Sequence, residues 1–268
     1  MESEPNQPNP GNTRELNLQR SAEQFMVGMQ RHFDMLAFNQ ASRQMVSEKA
    51  YQEKVEAAGM VPIPKFHQNF EQMQAYSRDL MTTQVMNDNL NLAVSCLHQV
   101  HLFLVLIRAQ KTNGQLSPEV QKRAQGEHQN FMRMPLDQKF NHLEQEFGIM
   151  AELEDGVLAL SKVLQILTRQ RGVVKEDQTE ENGELVLELK EAPSFSTAAD
   201  LGQKLRELTT VNKSFRVGDK VQLSDVELQQ LLFATAAFAH QMFSSVARYA
   251  KDQGLGGAPG GGAAGGPV

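Results

Sequence analysis

From Lys65 to Gln110 the chain contains neither proline nor glycine, while Phe66, Phe70, Met73, Leu80, Val85, Leu90, Val94, Leu97, His101 and Leu104 recur mostly at intervals of three to five residues. That spacing keeps apolar side chains on one side of an α-helix. It predicts one long helix, or two joined by a bend near Asn87-Asp88-Asn89. A continuous helix would measure roughly 70 Å at 1.5 Å per residue, longer than a compact domain needs. Its N-terminal half is therefore expected to project or to pair with the helices that precede it, and is a candidate interface.

Those preceding helices are legible. Leu18, Phe25, Met29, Phe33 and Leu36 mark an amphipathic helix, and residues 41–58, richer in Gln, Lys and Glu, predict a more exposed one that Gly59 can end. Val61-Pro62-Ile63-Pro64 is held extended by proline sterics and breaks the chain. Beyond the long helix, Thr112-Asn113-Gly114 is a turn and Ser117-Pro118-Glu119 starts a polar helix with proline in its first turn. Pro135 opens a further helix through Phe140, Leu143 and Phe147, which Gly148 closes. Residues 151–171 are apolar on most helical faces and end in Arg169, Arg171 and Gly172, cations at the negative end of the dipole followed by a glycine stop.

The C-terminal third carries the β signals. Val173-Val174 and residues 184–190 read as strands around an acidic loop at 175–182, and 197–208 as a short helix with a Leu201, Leu205, Leu208 stripe. Phe215 and Val217, the reversal Gly218-Asp219, and Val221 and Leu223 predict a tight hairpin. Ser224-Asp225-Val226-Glu227 fits a capping box ahead of a helix bearing Leu228, Leu231, Leu232, Phe238 and Phe243. The two most apolar helices, one ending at Arg171 and one beginning after Ser224, are expected side by side at the centre of a single globule.

The chain thus reads as mostly α, a helical bundle with a small β-hairpin appendage. The expected organisation is a disordered N-terminus at 1–12, a helical extension at 13–60, a main bundle at 65–250 with a β insert at 172–223, and a disordered glycine-rich tail at 254–268. With 268 residues and 40% hydrophobic content there is material for one substantial core. A net charge of −6 argues against a dedicated DNA binder, which needs a basic domain to displace counterions. The lone Cys96 cannot form an intrachain disulfide, and residues 1–12 lack the basic start and apolar stretch of a secretion signal, so a cytoplasmic protein is expected. The longest apolar run, 100–107, is far below the ~20 residues that span a bilayer, and no membrane is expected as a partner.

Little in the chain announces chemistry. His98 and His101 stand three apart with Cys96 nearby, yet no second pair follows at ligand spacing, so neither metal nor cofactor is expected. Glu152, Glu154 and Asp155 suit a helix start. Nucleophile elbows, phosphate-binding glycine loops and the dinucleotide fingerprint are absent. Arg169, Arg171 and Lys175 form the most suggestive group, since two guanidinium groups at a helix end can meet phosphate or carboxylate bidentately.

The order of a buried helix with a basic end, Gly172-Val173-Val174, an acidic loop, a strand at 184–190, Phe215 to Leu223 and an apolar terminal helix resembles the divergent bacterial HEPN-like helical proteins, over about residues 66–249. The resemblance implies RNA as a partner and, in catalytic members, metal-independent cleavage by an arginine and a histidine with four to six residues between them, acting across a dimer. Between Ser161 and Lys175 there are two arginines and no histidine; Arg123 and His128 supply the spacing elsewhere. A degenerate member that binds without cutting is therefore expected. The leading expectation is a non-enzymatic, self-associating interaction protein, with the N-terminal helices or the long-helix face making contact and thirteen methionines supplying adaptable packing. The alternative is a HEPN-like RNA-binding or ribonuclease protein using Arg123 and His128.

Overall fold

Side-chain caps set the helix starts. In the computed structural model, which describes residues 18–58, 69–114, 116–180, 182–193 and 201–255, Asn69 Oδ1 accepts the Gln72 N–H at 2.8 Å and Ser117 Oγ that of Val120 at 3.3 Å. Ser224 Oγ accepts the Glu227 N–H at 3.2 Å while the Glu227 carboxylate accepts that of Ser224 at 2.7 Å, completing the expected capping box. Such caps contribute about 1 kcal/mol each. The elements are α1 (Leu18–Met45), α2 (Glu48–Ala58), α3 (Phe70–Asn113), α4 (Pro118–Arg133), α5 (Leu136–Phe147), α6 (Glu154–Arg169), β1 (Glu184–Glu191), α7 (Leu201–Arg206), β2 (Thr209–Arg216) and α8 (Asp225–Asp252). The fold is mostly α with one two-stranded antiparallel sheet among the described residues. The expected disordered segment at 1–12, residues 256–268 of the one expected at 254–268, and the proline break at 61–64 lie outside them.

The long helix is continuous. α3 runs for 44 residues, about 66 Å at 1.5 Å per residue, so of the two expected forms the single helix is the one observed, and Asn89 serves as an inward anchor. Asn89 is fully buried; its Nδ2 donates to the Val85 carbonyl at 2.8 Å and its Oδ1 accepts the Thr235 hydroxyl at 2.6 Å. This polar contact joins α3 to α8 and fixes their register. Ala93, Cys96, Leu97, Val100 and Leu104 of α3 are completely or almost completely buried, and α1, α4, α6 and α8 all pack against this helix. One stretch of α3 meets the length and apolarity of a membrane span, and half of it is buried inside the bundle.

α1 belongs to the same core. Phe25, Met29 and Leu36 are buried, Phe25 meets Phe243 edge-on at 5.8 Å, and Phe33 meets Phe233 at 5.0 Å. Arg43 pairs with the Asp225 carboxylate at the start of α8, where the helix dipole favours that anion. The segment expected as an extension at 13–60 is in this part a packed layer.

Two expectations are corrected. The helix ending near Arg171 is not the main neighbour of the terminal helix: α6 packs chiefly on α3 and β1, and α8 on α3, α1 and β1. Leu185, Leu187 and Leu189 of β1 are buried on one face of the strand and fill the space beside both helices. The hairpin also pairs differently. Gly218-Asp219 does reverse the chain, but the returning residues join 172–174 and not 215–217: Val221 N–H donates to the Gly172 carbonyl at 2.8 Å and Val174 N–H to that of Asp219 at 3.0 Å. β2 instead pairs along its whole length with β1, from Glu184 opposite Arg216 to Glu191 opposite Thr209. Of its first six residues only Val211 is apolar, and that residue and Lys213 are half-buried while the other four are exposed, so they carry little apolar alternation.

Replacing Thr235 by valine leaves Asn89 Oδ1 buried without its donor, and we expect a loss of about 1–3 kcal/mol. Asn89→Leu combined with Thr235→Val should recover most of it, and urea unfolding of the single and double variants is the check.

Candidate functional site

Two features combine chemistry or exposed apolar surface with a definite shape. The first is an imidazole cluster where α3, α4 and α5 meet. His101 projects from the middle of α3 and is fully buried, its ring stacked on Phe131 at 3.9 Å with 10° between the planes. His101 Nδ1 lies 3.2 Å from His128 Nδ1 on α4, and its Nε2 lies 3.2 Å from His142 Nε2 on α5. Phe147 closes the far side edge-on at 5.8 Å. A neutral ring with a nitrogen contact at each end has one proton to share, so the three imidazoles form a chain.

Helix geometry assembles this group. Lys139 is buried and its ammonium donates to the carbonyls of Phe131 and Met132, both at 2.9 Å, and to that of Met134, satisfying the open carbonyl end of α4 and locking the α4–α5 corner. Arg108, two turns beyond His101 on α3, pairs with Glu127 and, at 3.2 Å, with Glu146, and its guanidinium stands over the Phe147 ring at 4.7 Å. One cation thus straps α4 and α5 to α3. Donor atoms of His101, Glu127 and His142 all lie within 4.8 Å of one another. His101, Glu127 and His142 could therefore hold a metal ion.

Burial favours the neutral form of His101, His98 and His128. It pushes His101 down to about 3, with His142, His128 and Arg108 adding to the effect, and pushes His98 down to about 4, with Lys139 and His128 adding. Burial also lowers His128 and raises the Cys96 thiol well above its usual range, so that cysteine is inert packing.

The second feature is a groove of about 560 Å³ between α1, α2 and the N-terminal half of α3, with Met35, Val46, Tyr51, Phe70, Met73 and Met81 among its lining. A wider, polar depression of about 1160 Å³ lies between α8, the α5–α6 corner and β1, and there Glu188 and Lys190 pair with each other at 2.9 Å.

The residues singled out in the sequence fall as follows. His98 faces the same Phe131 and His128 as His101 does, and its buried Nε2 has no hydrogen-bond partner. Arg123 is exposed on α4, while His128 turns inward against His101. Arg169 and Arg171 are exposed at the end of α6, and Lys175 is exposed before the acidic turn. Arg171 adopts φ 56°, so this turn holds a non-glycine residue in the left-handed region. His142 and Glu127 carried no signal of their own, because each is an isolated residue on a polar helix.

Comparison with known protein families, with curated proteins and with solved structures finds no match.

For a base whose folded-state value lies below its unfolded one, the unfolded chain takes up the proton first, and stability falls as pH drops below about 6.5. With EDTA present, His101 alone should remove about 2 kcal/mol between pH 7 and pH 5. Urea unfolding at the two pH values measures this, and His101→Phe, which keeps the stack on Phe131, should flatten the dependence.

Proposed function

We propose that this chain is a non-catalytic helical interaction protein that pairs with a second copy of itself through the outer face of α1 and the groove beside it. The observation that carries this reading is that α1 is apolar on two opposite faces. Phe25, Met29 and Leu36 lie along the inner face. Val27, Phe38 and Met45 are 58%, 67% and 85% exposed. At about 100° per residue, 27, 38 and 45 fall within about 20° of one line, on the side away from the buried stripe.

The surroundings extend that surface. Of the thirteen large hydrophobic residues exposed among the described residues, eight lie on α1, on α2, between the two or on the N-terminal half of α3: Val27, Met35, Phe38, Met45, Val46, Val55, Tyr76 and Leu80. Scattered apolar residues need no explanation, but such a concentration on neighbouring helices, with Met35, Val46 and Leu80 lining the groove, is the character of a contact surface. A second copy suits it on charge. Arg31 borders the α1 stripe on one side and Asp34 on the other, and both are exposed. Two α1 helices running parallel about a two-fold axis set the basic edge of each against the acidic edge of the other, an isologous arrangement. Fully burying one such side chain contributes about 1.5–3 kcal/mol, so three from each copy make a substantial driving force.

Light scattering on the full chain after size exclusion should return a dimer. Phe38→Glu and Met45→Glu should each shift it to monomer while helix content by circular dichroism stays unchanged. A monomeric wild-type chain at high micromolar concentration, or a dimer indifferent to both substitutions, would overturn the reading.

A further inference from the structure

We propose that His101, His142 and Glu127 form a binding site for one divalent zinc-class metal ion, with two imidazole nitrogens and one carboxylate oxygen as ligands and a remaining position open to water. A tetrahedral zinc with metal–nitrogen bonds of about 2.0–2.1 Å holds its ligand nitrogens about 3.3–3.4 Å apart. His101 Nε2 and His142 Nε2 stand 3.2 Å apart, and one ligating atom from each of His101, Glu127 and His142 lies within 4.8 Å of the other two. The ligands come from α3, α5 and α4, so an ion here would bind three helices at one point.

The outer shell matches what a metal-bound histidine requires. When one ring nitrogen ligates, the other ordinarily donates its N–H to a fixed acceptor, which sets the tautomer and the ring plane. With His101 Nε2 ligating, its Nδ1–H would have an acceptor in His128 Nδ1 at 3.2 Å, leaving the Nε2 lone pair for the ion. Stacking on Phe131 prevents the His101 ring from turning away. Glu127 is held by Arg108, as a ligating carboxylate usually is by an outer-shell donor. Arg108 shares its single positive charge between Glu127 and Glu146, so the group carries a net charge of about −1 and favours a cation.

The access is one-sided. His101 is sealed, while His142 and Glu127 are partly exposed, so the ion would enter between α4 and α5 and keep a solvent-facing position. Three protein ligands leave one position of a tetrahedral ion for water or a further ligand. The donor set contains no thiolate, and two imidazoles with one carboxylate suit zinc, cobalt or iron(II). Cobalt(II) is therefore a faithful probe.

The test uses the full chain, freed of metal with EDTA, dialysed and titrated with Co²⁺ and separately with Zn²⁺. One Co²⁺ per chain should bind, with the visible bands of a low-symmetry site, and Zn²⁺ should displace it and raise the melting temperature. His142→Ala and Glu127→Gln alter partly exposed positions, and each should weaken Zn²⁺ binding by more than the roughly 10–100-fold that loss of an outer-shell partner costs. His128→Ala should fall within that range. His32→Ala, on α1 and facing Asp88, should leave binding unchanged. Circular dichroism of each variant separates loss of a ligand from loss of the fold. Absence of cobalt bands, or binding that survives His142→Ala undiminished, would overturn the proposal.

Discussion

The burial of α3 between Ala93 and Leu106 is the constraint on which the rest of the molecule depends. A helix apolar around most of its circumference has to be covered on all sides, and here α1, α4, α6 and α8 supply the cover. The N-terminal half of the same helix is covered on fewer sides. Thr82, Met86 and Asn89 are buried there, yet Tyr76 and Leu80 face solvent. Because a continuous helix transmits its direction rigidly, the core that fixes residues 93–106 also fixes the platform from which the groove beside α1 is built.

Polar groups inside the core act as registers rather than as a source of net stability, since a hydrogen bond gained in folding replaces one to water. Asn89 and Thr235 set α3 against α8. Lys139 ties the end of α4 to α5 through three backbone carbonyls. Arg108 bridges α3 to Glu127 and Glu146. The imidazole chain sits between the last two of these. Its three rings are brought together by helix packing, and burial favours the neutral form of His101 and His128, so His101 retains a lone pair available to an electrophile.

Much of the fold was legible in local signals. The cap at Ser117, the Ser224–Glu227 box, the Gly148 stop and the unbroken helix from Phe70 onward are all properties of a few adjacent residues. Pairing was less legible. The polar sequence of β2 gave no alternation to read, because only Phe215 of that strand is buried, and the apolar Val221 and Leu223 looked like its return partner when they belong beside Gly172. The adjacency expected of α6 and α8 failed for a related reason: apolarity shows that a helix is buried but does not name its neighbour, and β1 with its three inward leucines met both. The imidazole cluster was half visible. His98 and His101 stood out by spacing on one helix, whereas the partners of His101 arrive from α4 and α5, a convergence that only tertiary structure creates. The outer stripe of α1 was readable in principle from positions 27, 38 and 45, but the inner stripe at 25, 29 and 36 dominates the same helix.

The account stands on α3 being one uninterrupted helix with two differently covered halves, and amide hydrogen exchange along it tests that most directly. Residues 93–106 should exchange only through global unfolding, with a step to weaker protection N-terminal of Asn89. Uniform protection along the helix, or fast exchange in the segment containing His101, would contradict it.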